Sequence, residues 1–137
     1  MLDQLVIIAR AMQLYTHNAH NTITGPTFYE DHEVLGDLYP KYEETYDSLV
    51  ERMIGLGMPV DLIESQSGAV AVIQKLPLTP DPTKCFSTIL QLEGILCKKV
   101  EECLASHPYS EGTKQMLGGM ADESEGRQYK LKQRIKS

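Results

Sequence analysis

The stretch from 57 to 83 limits the fold of this chain more than any other feature. There Gly57, Pro59, Gly68, Pro77, Pro80 and Pro82 interrupt a sequence that elsewhere reads as long amphipathic helix. Before it, apolar or small residues recur at Leu2, Leu5, Val6, Ala9, Met12 and Thr16. A second series begins at Phe28 and runs through Leu35, Leu38, Tyr42, Tyr46, Leu49 and Met53 to Leu56. Both keep the three-four spacing that turns one stripe of a helix toward a core. After the interruption the spacing resumes from Phe86 through Ile89, Leu96 and Val100 to Leu104, and Pro108 stops it. A fourth stripe covers about 111–134, with Leu117, Met120, Tyr129 and Leu131, weakened by Gly118, Gly119 and Gly126.

Gly25-Pro26 divides the first helix from the second, with Thr24 and Thr27 as expected capping hydroxyls. Pro40 falls inside the second helix and predicts a kink there. The interrupted segment has room for short helical pieces only, one near 60–65 and another over 69–75. Two long helices, a long crossover carrying a short helix, then two more long helices make an all-α four-helix bundle with one crossover. Ferritin-like folds use that plan. A length of 137 residues suits a single such domain over the whole chain.

Net charge is −6, which argues against a broad nucleic-acid face, since counterion release needs clustered Lys and Arg. No apolar run approaches the roughly 20 residues that cross a bilayer, so no membrane partner is expected. Residues 1–14 are apolar but lack a basic start and a small-residue cleavage site, so no signal peptide is expected. Cys85, Cys97 and Cys103 have no C-x-x-C spacing and read as reduced thiols of a cytoplasmic protein.

Three of the four histidines, His17, His20 and His32, lie within residues 17–32, where the first helix ends and the second begins. A turn at Gly25-Pro26 that folds the first helix back on the second brings His20 to His32. Farther along the second helix, Asp47 and Glu51 are four apart and share a face. His32 and Asp47 lie on one face too, but about 22 Å apart along the axis, so one metal cannot touch both within a chain. Two antiparallel copies of this helix about a two-fold axis would bring His32 of one chain to Asp47 and Glu51 of the other. Two imidazoles and two carboxylates suit iron, manganese or zinc. Each group also has a plainer reading, as surface or capping histidines and a solvated acidic face. His17 and His107 read as solvent-exposed and as a polar helix end.

The run H-N-T-I-T-G-P-T-F-Y-E-D-H from His20 to His32, followed by D-S-L-V-E-R from Asp47 to Arg52, resembles the signature of the Dps family, the miniferritins. Residues 20–52 carry the specific match, with looser similarity in G-T-K-Q-M-L (Gly112 to Leu117) and R-Q-Y-K-L (Arg127 to Leu131). The resemblance implies a hollow dodecameric shell that oxidises ferrous iron with hydrogen peroxide and stores the ferric mineral, protecting DNA and cell from oxidative damage. It implies a ferroxidase centre at the two-fold interface, with His20 and His32 from one chain and Asp47 and Glu51 from its neighbour. Two positions depart from the pattern. Gly36 stands where the family has an Asp, and Asn21 where it has a tryptophan. Without a carboxylate at 36 the set accounts for one iron rather than two, and Gly36→Asp is expected to raise metal occupancy. The same departure supports an alternative, a ferritin-like shell or assembly protein with impaired or lost ferroxidase activity. DNA is a further partner of the family. Here the acidic body and a first helix expected from residue 2 count against direct DNA binding, and Lys130, Lys132, Arg134 and Lys136 read as a helix end.

Overall fold

A computed structural model describes residues 1–136. Their regular structure is entirely helical: α1 (Leu2–Thr22), α2 (Phe28–Gly55), α3 (Leu62–Ile73), α4 (Pro82–Ser106) and α5 (Glu111–Lys136). The predicted stripes become the buried faces, except for Leu56 and Tyr129, which are exposed. In α1 Leu2, Leu5, Ala9, Met12 and Ala19 are buried, and in α2 Leu35, Tyr42, Leu49 and Met53. α1 pairs with α2 and also packs on α3 and α4, while α4 pairs with α5. The long helices thus form a helical bundle around one shared core.

The breaks fall where the backbone chemistry requires them. Gly25 has φ of +119°, a left-handed turn that a side chain would strain, and it folds α2 back along α1. Thr27 is the residue before α2, but its hydroxyl does not cap the helix; it donates to Asp31 Oδ2 at 2.6 Å. Thr24 lies between the two helix ends, Ile23 and Thr27, and its backbone N–H donates to Pro80 O at 2.9 Å, tying the first turn to the crossover. α2 passes through Pro40 as one continuous helix, with the proline exposed. α5 likewise runs unbroken through Gly118, Gly119 and Gly126.

The crossover corrects a second expectation. In place of two short pieces there is one helix, α3, continuous through Gly68. Asp61 starts it by accepting from the Glu64 N–H at 3.0 Å. Gly68 is needed for contact rather than for a break. A Cβ there would sit 3.1 Å from Ile7 Cδ1, so glycine lets α3 lie close on α1. Beyond α3, Tyr15 donates its hydroxyl to Pro77 O at 2.8 Å, and burial pushes that phenol up to about 12. Asp81 and Pro82 then open α4, the carboxylate accepting from the Thr83 N–H at 3.0 Å.

Charged polar ties join the helices. Glu93 in α4 is fully buried and accepts from Tyr42 Oη at 2.7 Å, Ser124 Oγ at 2.7 Å and Arg127 Nη2 at 3.1 Å. This one carboxylate therefore links α2, α4 and α5. Burial, reinforced by the Glu93 charge, raises the Tyr42 phenol well above its usual range. Where α2 begins and α5 ends, Arg134 of α5 meets Asp31 of α2 at 2.8 Å. Burial disfavours the Asp31 carboxylate, but bonds from Arg134 and Thr27 outweigh it and hold the carboxyl below its usual range.

Candidate functional site

α1 ends and α2 begins side by side, and this places His20 against His32. Their rings stack with centroids 3.8 Å apart and planes 16° from parallel. The pair is also reciprocal: His20 Nδ1 lies 2.9 Å from His32 O, and His32 Nδ1 lies 2.8 Å from His20 O. A carbonyl oxygen only accepts, so each Nδ1 carries the proton. In the neutral ring each Nε2 then keeps its lone pair for a ligand. Both side chains are half-buried, with Phe28 stacked on the other side of His32 at 4.9 Å.

Gly36, one turn after His32, proves to be part of this arrangement. A Cβ at 36 would lie 3.0 Å from His20 Cε1 and 3.3 Å from His20 Nδ1. The His20 ring occupies the space where a side chain at 36 would begin. An aspartate at 36 would therefore add a carboxylate but also require the His20 ring, a candidate ligand, to give by a few tenths of an ångström. His17 is exposed as expected but not isolated. Its ring stacks on Tyr39 at 4.1 Å and 4°, and Tyr39 in turn lies 5.5 Å from His20. Tyr39 thus borders the site, while Tyr42 and Tyr46 are buried in the core.

Asp47 and Glu51 sit on the second half of α2, both exposed. Arg52 turns away from them to donate to Thr113 Oγ1 at 3.1 Å. One chain thus brings His20 and His32 together but not the four candidate ligands. Among the described residues no group of three or more His, Cys, Asp or Glu is arranged to hold a metal ion.

The other singled-out groups lie outside this place. His107 follows α4 and is 5.5 Å from the Tyr109 ring. The three cysteines are free thiols. Of the basic C-terminal run, Arg134 is held by Asp31 and Thr83, while Lys130, Lys132 and Lys136 are exposed. No described helix is long and apolar enough to cross a membrane. Sequence reasoning missed Glu93 and the reason for Gly36. Glu93 had a visible signal, a carboxylate four residues after Ile89 and three before Leu96, inside the apolar stripe. Gly36 had none, because its role depends on a ring from another helix. No protein-family model matches the chain, and no curated protein matches it significantly.

Proposed function

We propose that the chain is a Dps-like miniferritin subunit with a ferritin-like bundle. It binds ferrous iron at a centre shared by two copies, oxidises it with hydrogen peroxide and stores the ferric product inside a closed shell of twelve. The observation that carries this reading is the reciprocal histidine pair. Metal-binding histidines ordinarily donate the second ring N–H to a carbonyl or carboxylate, which fixes the tautomer and aims the other nitrogen. His20 and His32 both make that bond, each to the other's carbonyl.

On this reading His20 and His32 supply nitrogen donors from one chain, and Asp47 and Glu51 supply oxygen donors from its neighbour. The carboxylates favour the ferric over the ferrous charge, which drives the electron toward peroxide. Each peroxide takes one electron from each of two ferrous ions and, with two protons, leaves as two waters. The ferric product then collects on interior carboxylates. Consuming iron and peroxide together suppresses hydroxyl radicals, so DNA in the cytoplasm is protected chemically rather than by contact.

Gly36 supports a second reading, a shell or assembly protein with impaired or lost ferroxidase activity. The position that would carry the extra carboxylate of a two-iron centre is a glycine, and the His20 ring packs against it. Adding ferrous iron and peroxide to the purified protein, and following ferric absorbance, separates the two. A rise that disappears in Glu51→Ala is the result expected of the first. An assembled wild type that gives no rise supports the second. A stable monomer at micromolar concentration overturns both.

A further inference from the structure

The first two turns of α1, the end of α2 and the start of α3 enclose a cleft of about 410 Å³. It lies at the opposite end of the α1–α2 pair from His20 and His32, and the proposed iron chemistry does not use it. Two glycines shape it. Gly57, with φ of +74°, turns the chain off α2, and the Met58 N–H closes that turn on Met53 O at 2.9 Å. Gly68 lets α3 lie close on Ile7 of α1, which leaves the open space beside the first turn of α3. Val6 and Met53 are buried at the bottom of the cleft, and half-buried Met58 and Val60 form one wall. The charged groups around it are Asp3, Asp61 and Glu64, all exposed, with no Lys, Arg or His among the lining residues. Asp3 is paired with the Met1 amino group at 2.7 Å. Asp61 gives one carboxylate oxygen to the cap of α3, and neither it nor Glu64 has a cationic partner among the described residues.

We infer that this cleft binds an organic cation, an aliphatic amine whose hydrocarbon chain lies against Val6 and Met53 and whose ammonium faces Asp61 and Glu64. The volume falls within the roughly 300–1,000 Å³ of small-molecule sites. Unbranched methionine side chains adapt to what they cover, so Met53 and Met58 suit a flexible chain better than a rigid ring. The two parts of the site act differently. An exposed ion pair adds little affinity, so the carboxylates mainly select the sign of the ligand's charge. Burial of the hydrocarbon chain supplies most of the affinity, at about fourfold for each methylene removed from water. An alkyl carboxylate would meet two like charges. An alcohol of the same length would keep the apolar contact and lose both ion pairs.

Calorimetric titration of the iron-free protein with hexylammonium chloride tests this, with butylammonium, hexanol and hexanoate as comparators. Hexylammonium should bind saturably at millimolar concentration. Butylammonium, two methylenes shorter, should bind about fifteenfold more weakly. Hexanol should bind about fivefold more weakly than hexylammonium, and hexanoate not measurably. The double variant Asp61→Asn with Glu64→Gln should bring hexylammonium down to the hexanol value and leave hexanol unchanged. Asparagine caps a helix as well as aspartate does, so circular dichroism should show the same helix content. Val60→Trp puts a bulky ring in the cleft wall and should abolish binding of both amine and alcohol. No saturable heat from hexylammonium, equal binding of hexanoate, or full hexylammonium affinity in the double variant overturns the inference. Full affinity in Val60→Trp places the amine elsewhere on the chain and overturns it too.

Discussion

At the scale of single residues, the site depends on which groups touch the His20 and His32 rings and which only lie near them. His32→Ala removes a nitrogen donor, and Glu51→Ala or Asp47→Ala removes the facing carboxylate. Each should abolish tight metal binding in calorimetric titration. None should unfold the chain, because alanine is a good helix former and both carboxylates are exposed. His107→Ala should leave binding unchanged. His17→Ala should do the same, while losing a stacking contact with Tyr39 worth about 0.5–1.5 kcal/mol. Gly36→Asp and Gly36→Ala should both weaken metal binding by about tenfold or more, since outer contacts that orient a ligand carry effects of that size. Equal or tighter binding in Gly36→Asp would mean that the His20 ring moves aside at no cost. The sequence showed that His20 meets His32 because a turn at Gly25-Pro26 is enough to bring them together. It could not show that Gly36 makes room for His20, since that contact crosses from α2 to α1.

At the scale of helices, the four long elements were legible because each repeats its apolar residues over many turns. α3 was split by its reading because a glycine in a short polar segment looks like a break; its actual role is close approach to Ile7. Glu93 ties three helices at one buried point. Glu93→Ala leaves the Arg127 charge uncompensated and should cost about 3–5 kcal/mol in denaturant unfolding. Tyr42→Phe removes one donor from that carboxylate and should cost about 1–3 kcal/mol. The Asp31–Arg134 tie has a pH signature of definite sign. The folded Asp31 carboxyl lies below its ordinary value of 3.8, so the unfolded chain binds more protons there. Its contribution is complete above that ordinary value and is lost as pH falls through the lower folded one. Asp31→Asn should therefore flatten the acid limb of the stability profile while leaving the alkaline limb alone. An unchanged acid limb would mean that Arg134 finds no net stabilisation in Asp31.

At the scale of the whole molecule, the proposed function gives one chain two half-sites that it cannot close on itself. His20 and His32 meet at one end of the α1–α2 pair, and Asp47 and Glu51 face outward toward the other. The separation was legible from helix rise alone, but the partner that closes the site was not, because an interface leaves no periodic trace in one chain beyond exposed groups awaiting contact. If two copies close it, assembly and metal binding are one property, and a defect in either half can be supplied by a neighbour. Mixing dissociated His32→Ala chains with Glu51→Ala chains and reassembling them tests this most directly. Neither variant alone should bind metal tightly. Random pairing makes half of the pairs mixed, and each mixed pair keeps one site with both halves intact. The account predicts recovery of about a quarter of the wild-type bound metal per chain. Reassembled oligomers that contain both variants and bind no more metal than either alone would contradict it.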